Sequence, residues 1–440
     1  MSGIILINPK TSLNIENNEP LNLLSLAAYL RKSAIPVWIY DEIRPLFDLS
    51  EKIGKVQYIG ITSNTCSYNR AVELARSLKK QYPEVILIAG GVHPTTTPEQ
   101  TMRDGFDIVV VGEGERTLVK ILTAKETTGI FQGESISELE LYGMPRDLID
   151  MDFYSQTKIR CPHDPNLNFI PFGQRMACYL TSRGCPFHCI FCHNIWRKTK
   201  LRFVSIDLVI EELAMLKKRY GCSYIWLMDD HIFINKIRAR ELFSRIIEER
   251  LEIFWASATR AEAVDDEILE LAYRSGCRRL AIGVESGSQK ILDKIMKGTT
   301  VETNFRAIRL CKKHKIRALS TIMIGNPDET REDLQQTMDF ILRARPDDLA
   351  ISILTPFPGT VLWKMCEEEG RIPPNIDFSK FNYLKAPVRI TDHVSPDELE
   401  VIKRNMLIRY YLQPRNILPL IRKMVANPGS MYHKIIEYFR

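Results

Sequence analysis

Short apolar segments alternate with amphipathic stretches in two long series along this chain, and this alternation restricts its fold more than any other feature. In the first series, the predicted strands span residues 4–7, 37–40, 58–62, 85–89 and 108–111. Each is a nearly continuous β-rich run, as in strands that are buried on both faces of a parallel sheet. These units predict a doubly wound, flavodoxin-like α/β domain, which binds ligands beyond the carboxyl ends of its strands.

The second series predicts an incomplete parallel barrel. Its predicted strands span residues 178–182, 224–228, 254–258, 279–283, 319–324 and 349–353. Six β/α units of this kind predict a partial (β/α)6 barrel with its chemistry at the carboxyl ends of the strands. Residues 131–170 lack the alternation and predict a linker with turns. We therefore expect domains at residues 1–130 and 171–386, separated by that linker and followed by a helical region at 387–440.

Composition excludes several classes of protein. Lys and Arg number 60 against 54 Asp and Glu, and the excess of +6 is spread along the chain, so the charge pattern makes no case for nucleic acid. The first residues contain no basic leader and no apolar run of membrane-spanning length, so we expect a cytoplasmic protein. Ten cysteines in 440 residues are too few for a disulfide scaffold, and any that cluster favour metal binding or catalysis.

Only Cys185, Cys189 and Cys192 form a cysteine cluster, directly after the first predicted barrel strand. A 4Fe-4S cluster normally takes four cysteines, so three thiolates on one loop would leave one iron open to a non-protein ligand. An open metal position is what allows a site to bind and activate a molecule. The alternative is a structural zinc completed by His188 or His193, which the lack of a second Cys or His couple disfavours.

The cysteine spacing, with an aromatic residue before the last cysteine, resembles that of the radical S-adenosylmethionine (SAM) superfamily. The resemblance implies a 4Fe-4S cluster on Cys185, Cys189 and Cys192, cleavage of SAM to a 5′-deoxyadenosyl radical, and an external electron donor such as flavodoxin or ferredoxin. Carried over by this resemblance, the predicted SAM-binding residues are Phe191, Asp229, Asp230, Arg260, Glu285 and Ser286. The alternatives are a capping or turn pair for the two aspartates and an ordinary salt bridge for Arg260.

Glycine loops in the first series resemble those of cobalamin-binding radical SAM enzymes, which implies cobalamin as a further cofactor. The Asp-x-His-x-x-Gly signature of classical cobalamin proteins is absent, and the chain reads Ser63-Asn64-Thr65 in that region. His93 is either an axial cobalt ligand or a residue that orients the loop, and a domain that covers the barrel without binding cobalamin is the alternative for the whole unit. The predicted cobalamin-binding residues are Ser63, Asn64, Thr65, Gly90, Gly91, His93, Gly112, Glu113 and Gly114.

The resemblance favours cobalamin-dependent methylation of an unactivated carbon in a small-molecule or lipid-like substrate. A radical cyclase, oxidase or rearrangement enzyme uses the same parts without methyl transfer, and a non-enzymatic iron–sulfur or cobalamin sensor is a third hypothesis. Methylthiotransferases are disfavoured because the first domain has no second cysteine trio. In residues 408–440, aromatic and basic side chains mix as they do in interfacial helices, so a peripheral membrane contact competes with packing against the barrel.

Overall fold

The first domain is a parallel sheet covered by helices. The computed structural model describes residues 3–10, 18–136, 139, 143–156, 170–171, 173–193, 200–383, 385, 387–414 and 416–417. The strands of the first sheet are β1 (Gly3–Asn8), β2 (Val37–Asp41), β3 (Val56–Thr62), β4 (Ile86–Gly90), β5 (Ile108–Val111) and β6 (Gly129–Gln132). Their order is β2-β1-β3-β4-β5-β6, with every pair parallel, which confirms the doubly wound fold.

Strand β6 is an addition that the sequence pattern does not predict, and it extends two residues into the predicted linker. It is a four-residue edge strand whose residues alternate between half-buried and exposed. Such a strand has no continuous apolar run, which is why the prediction ends the sheet one strand early. The helices of this domain are α1 (Leu21–Lys32), α2 (Leu49–Ile53), α3 (Tyr68–Gln81), α4 (Val92–Thr96), α5 (Pro98–Arg103) and α6 (Glu115–Ala124).

Strand β1 lies between β2 and β3, so the strand order reverses at β1. Loops on the two sides of such a reversal diverge and open a crevice at the carboxyl ends of the strands. One tight glycine position shapes the edge of this crevice. Gly91 has φ of 100°, and a Cβ there would lie 2.7 Å from the Ser63 carbonyl oxygen. Only glycine permits this close approach between the loops after β3 and β4.

The second domain is the partial barrel. After the short helix α7 (Met151–Ser155), its strands are β7 (Met176–Tyr179), β10 (Tyr224–Leu227), β11 (Phe254–Thr259), β12 (Cys277–Glu285), β13 (Arg317–Ile324) and β14 (Asp348–Ile353), with β8 (Ser182–Arg183) and β9 (Arg202–Phe203) forming a separate antiparallel ribbon. The order β14-β13-β12-β11-β10-β7 is sequential and parallel, which confirms the six-unit barrel. Its helices are α8 (Ile206–Tyr220), α9 (Lys236–Glu248), α10 (Asp266–Arg274), α11 (Gln289–Lys294), α12 (Val301–Lys313), α13 (Arg331–Ala344) and α14 (Val361–Glu368).

A buried arginine from the predicted linker joins the two domains. Arg146 has no exposed side-chain surface and donates to Glu19 at 2.6 Å and also to Glu212 of α8. The same guanidinium donates to the carbonyl oxygen of Cys178 at 2.9 Å. A buried charge with three partners holds the two sheets in one relative orientation, because separating them would leave charges unpaired in the interior.

The C-terminal region begins with helix α15 (Pro396–Tyr411), which packs on the barrel. Met406, Leu407 and Tyr410 are buried, and the Tyr410 hydroxyl donates to the Pro346 carbonyl oxygen at 2.9 Å. The membrane hypothesis concerns the segment 408–440, of which residues 415 and 418–440 lie outside the described residues. The stretch at 157–169, where the sequence predicts turns, also lies outside them. Within the described part of the chain, none of the helices combines the length and apolarity needed to cross a bilayer.

Candidate active site

The cysteine loop follows β8 at the mouth of the barrel. Gly184, with φ of 103°, turns the chain away from the ribbon, and Cys185 comes next. The middle of the loop is fixed on both sides, because the Ile190 N–H donates to Ile295 O at 3.2 Å and Ile190 O accepts from the Leu362 N–H at 3.0 Å. Cys189 is buried, whereas Cys185 and Cys192 are half-buried.

The three thiols share this loop but are not drawn together around a common point. Across the described residues, no three His, Cys, Asp or Glu side chains, including His188 and His193, lie close enough to hold a metal ion. Their chemistry nonetheless fits an anionic cluster. The Arg260 guanidinium lies 3.6 Å from Cys189 Sγ and 3.7 Å from the centre of the Phe187 ring, so a buried cation stands beside the sulfur. Such a charge stabilises thiolate sulfur in a dry environment.

Arg260 has further partners at the mouth of the barrel. It is buried, donates to the Lys297 carbonyl oxygen and pairs with Glu262. The predicted SAM-binding arginine therefore lies at the cysteine loop, and it also makes the local salt bridge that the sequence left as its alternative. His231, close to Arg260, is a neutral neighbour, because burial and then the charges of Arg260 and Lys297 lower its pKa to about 3.

Glu285 and Ser286, at the end of β12, are bonded to protein partners. Glu285 has φ of 64°, and its Oε1 accepts from Lys297 Nζ at 2.7 Å in a buried pair. The Ser286 hydroxyl is buried and lies 3.1 Å from the Thr337 hydroxyl. Lys297, which pairs with Glu285, also accepts a hydrogen bond at its carbonyl oxygen from Arg260 beside the cysteine loop. Ser286 instead points into the packing between β12 and α13.

The two aspartates after β10 have different surroundings. Asp229 is buried and accepts from the Thr181 N–H at 3.2 Å, from the Thr181 hydroxyl at 2.9 Å and from the Ser182 hydroxyl. Burial raises the pKa of Asp229, and these hydrogen bonds act in the opposite direction. Asp230 instead lies on the wall of a cavity, where desolvation and then the charge of Asp229 raise its pKa. Of the two carboxylates, Asp230 is the one that lines the cavity.

That cavity, of about 550 Å³, lies between the carboxyl edge of the first sheet and the mouth of the barrel. The barrel contributes Arg183, Gly184, Met228 and Asp230 to its wall. Most of the predicted cobalamin-binding residues line the opposite wall, namely Ser63, Asn64, Gly90, Gly91, Gly112, Glu113 and Gly114. Polar residues that sequence reasoning missed also line it, including Asn8, Asn18, Glu19, Asn22 and Thr62. A position at the carboxyl end of β1 or β3 was the available signal for Asn8 and Thr62.

Thr65 and His93 do not line the cavity. The His93 ring is fully buried, with Nδ1 3.2 Å from the Thr65 hydroxyl and its centre 3.9 Å from that of the Tyr68 ring. Its Nε2 has no hydrogen-bond partner among the described residues. Burial, and then the neighbouring His193, lower the pKa of His93 to about 3. The imidazole is a neutral core group in this structure. Phe191, by contrast, is half-buried against an apolar cluster that both domains build.

Two family models match the chain in the order in which the domains occur. Residues 16–122 match the B12 binding domain, and residues 179–341 match the radical SAM superfamily. An uncharacterized methyltransferase of Pyrococcus horikoshii is 31% identical over 466 residues, which cover 99% of this chain and 97% of the relative. The anaerobic magnesium-protoporphyrin IX monomethyl ester cyclase of a Synechocystis strain is 27% identical over 99% of this chain and 93% of its own.

Solved structures share the fold at lower identity. The cobalamin-dependent SAM radical enzyme OxsB, with aqua-cobalamin and SAM bound, matches with a TM-score of 0.72 and 17% identity over 100% of this chain and 72% of its own. The radical SAM methyltransferase TsrM of Kitasatospora setae, with cobalamin and a 4Fe-4S cluster bound, matches with a TM-score of 0.69 and 18% identity over 85% of this chain and 79% of its own. The chain therefore belongs to the radical SAM superfamily, in the group that carries a B12-binding domain, and its cofactors are a 4Fe-4S cluster, SAM and cobalamin.

Proposed function

We propose that this enzyme is a cobalamin-dependent radical SAM methyltransferase that methylates an unactivated carbon of a small-molecule or lipid-like substrate. The observation that supports it best is the shared cavity whose walls come from the glycine loops of the first sheet and from Gly184 and Asp230 beside the cysteine loop. One space reached from both cofactor sites allows one substrate carbon to meet both. The methyltransferase relative that matches over nearly its whole length supports the same activity.

In this proposal, Cys185, Cys189 and Cys192 hold the cluster, and Asp230 binds the ammonium group of SAM. The glycine loops contact the corrin through their backbone. When bound, the cofactors supply the adenosyl radical and the methyl donor. The residues of the chain position the reacting groups and exclude water from the space between them.

The test is an anaerobic assay of protein reconstituted with iron, sulfide and hydroxocobalamin, then given SAM and a strong reductant. We expect both S-adenosylhomocysteine and 5′-deoxyadenosine to form, the former limited to about one equivalent of the cobalamin because no methyl acceptor is added. Formation of 5′-deoxyadenosine alone would contradict methyl transfer. Cys189→Ala is expected to lose cluster iron and both products. Cys311→Ala, which changes a buried thiol in the barrel core, is the matched control and is expected to keep both.

A ring cyclase is the second candidate, because the Synechocystis cyclase matches nearly the whole chain. The same assay separates the two, since a cyclase makes 5′-deoxyadenosine without S-adenosylhomocysteine. A non-enzymatic sensor would make neither product. Radical SAM enzymes also require an electron donor, and we propose flavodoxin or ferredoxin for this role. Cosedimentation with lipid vesicles, before and after deletion of residues 415–440, tests the proposed membrane contact.

A further inference from the structure

Two arginines face each other at the base of the cysteine loop. In the antiparallel ribbon of β8 and β9, Arg183 is the direct partner of Arg202. Both side chains are about nine-tenths buried, with exposed side-chain fractions of 11% and 8%. Like charges directly opposite on paired strands repel each other. The two strands of the ribbon flank residues 184–201 in sequence, and that segment contains all three clustered cysteines. The groups that neutralise the two arginines therefore also stabilise the base of the cysteine loop.

The neutralising carboxylates come from the other domain. Glu113 accepts from Arg202 in a bidentate pair, with distances of 2.6 Å to Oε1 and 2.8 Å to Oε2. Arg183 donates more weakly to Glu113 at 3.4 Å and pairs with Glu115 at 2.7 Å. The Ser25 hydroxyl accepts from Arg183 and donates to Glu115, both at 2.8 Å. Charge-assisted bonds of this kind fix both strands of the ribbon to the first domain.

Glu113 stands between Gly112 and Gly114, which line the cavity after β5. Its carboxylate also accepts from the Ile136 N–H at 2.9 Å. Burial opposes ionisation of this group, but the hydrogen bonds from Arg202 and Ile136 and the charge of Arg183 hold its pKa below the ordinary value. Both oxygens therefore have protein partners, and Glu113 remains a fixed anion at neutral pH.

We infer that Glu113 is a positioning residue that transmits cobalamin binding at the loop after β5 to the cysteine loop, through Arg183 and Arg202. The inference rests on the proposed function, in that cobalamin occupies the cavity. A ligand that orders Gly112 and Gly114 also orders the carboxylate between them, and through it the two arginines at the base of the cysteine loop. A ligand shifts an equilibrium only by its differential affinity for the two states, and here the difference is the order of this ribbon.

The test measures the initial rate of 5′-deoxyadenosine formation by iron- and sulfide-reconstituted enzyme, with and without hydroxocobalamin, under one reductant. We expect the wild-type rate to rise about fivefold with hydroxocobalamin, the lower end of usual coupling between sites. In Glu113→Gln, we expect equal rates in both conditions at a hydroxocobalamin concentration that saturates the variant. Glu42→Gln is the matched control, since Glu42 forms a bidentate pair with Arg70 within the first domain, with distances of 2.7 and 3.1 Å. It is expected to keep the wild-type dependence.

A rescue variant separates coupling from folding. Glu113→Gln leaves two facing arginines with one fewer carboxylate, whereas the double change of Glu113→Gln with Arg202→Gln removes the charge that Glu113 paired and keeps the Arg183–Glu115 pair. We expect Glu113→Gln to hold less cluster iron than the wild type, and the double variant to regain that iron and still to show no cobalamin dependence. Restored dependence in the double variant would overturn the inference, as would a wild-type rate that hydroxocobalamin does not change.

Measuring S-adenosylhomocysteine in the same samples separates this inference from the proposed function. If the methyl-transfer product forms but the rate of 5′-deoxyadenosine formation does not depend on hydroxocobalamin, the inference is wrong and methyl transfer stands. If the dependence is present and disappears in Glu113→Gln while no S-adenosylhomocysteine forms, the positioning role stands and methyl transfer is wrong.

Discussion

The carboxyl edges of the two parallel sheets are topologically alike but chemically different. At the first sheet, the predicted ligand contacts are mostly glycines and small polar residues that face a cavity. At the barrel, several of the predicted contacts are charged or polar side chains that already have protein partners. Glu285 pairs with Lys297, and Asp229 accepts hydrogen bonds from Thr181 and Ser182.

The difference follows from what each edge must bury. A backbone wall has no charge to satisfy, so the loops after β3 and β4 are shaped before any ligand arrives and need give up no ion pair to contact it. Charged side chains at the mouth of the barrel need partners when they are buried, because an unpaired buried charge is strongly destabilising. On the predicted contacts, SAM binding at Glu285 or Asp229 exchanges existing pairs for ligand contacts, whereas the loops after β3 and β4 hold no such pair. Four predictions test this contrast.

The largest effect is expected at Arg146, which joins the two edges. Arg146→Met leaves Glu19 and Glu212 buried without their shared cation, and we expect it to lower the free energy of unfolding by about 3–5 kcal/mol. Anaerobic denaturant titration measures this loss. Arg31→Met, which breaks an exposed bidentate pair with Asp147, should lower the free energy by less than about 1 kcal/mol. Equal losses in the two variants would show that Arg146 does not hold the two domains together.

Gly91 tests the preformed wall. Gly91→Ala combines a positive φ with a Cβ 2.7 Å from Ser63 O, so we expect a loss of about 2–3 kcal/mol in the free energy of unfolding and at least about tenfold weaker hydroxocobalamin binding. Gly105→Ala is the matched control, because Gly105 has φ of 109° but a Cβ there would meet nothing within 4 Å. It should lose only about 1 kcal/mol and bind cobalamin normally. Unchanged binding in Gly91→Ala would contradict a backbone-shaped site.

The neighbouring aspartates test the barrel edge. Asp229→Asn replaces a buried acceptor of three hydrogen bonds and is expected to lower the free energy of unfolding by about 1–2 kcal/mol. Asp230→Asn should change it by less than about 0.5 kcal/mol and weaken SAM binding about tenfold, since it removes a charge from the cavity wall. Equilibrium binding of SAM to the reconstituted protein, alongside denaturant unfolding, gives both values. The reverse assignment of effects would exchange the roles of the two residues.

The smallest effect concerns the pH dependence of His93. The folded protein holds this imidazole neutral, with a pKa of about 3, whereas the unfolded chain protonates it near pH 6.5. Its contribution to stability is therefore full above pH 6.5 and falls as the pH drops below that value. Between pH 7.5 and 5.5 we expect the wild type to lose about 1.4 kcal/mol more than His93→Phe. Denaturant titrations at the two pH values measure these losses. Equal losses of unfolding free energy in the wild type and in His93→Phe would contradict a buried neutral imidazole.

Sequence reasoning identified both domains because strands buried on both faces leave continuous apolar runs. It missed β6, whose exposed edge leaves no such run. Among candidate site residues, the glycine loops were predictable because strand ends in parallel sheets meet at one edge. The sequence did not predict that the His93 side chain points into the core and away from the cavity. The rings of Tyr68 and Phe378, which pack against it, are far from it in sequence.

The sequence by itself determined the order of the domains, the three thiols on one loop and the glycines at the strand ends, because covalent spacing and local periodicity carry that information. Only the tertiary structure decided which charges are paired. Lys297 meets Glu285, Glu113 meets Arg202, and Arg146 meets both Glu19 and Glu212. The partners of Arg202 and Arg146 include residues that the packing of one domain against the other supplies, whereas Lys297 and Glu285 both belong to the barrel. In each case a buried charge is stable only beside the partner that the fold supplies.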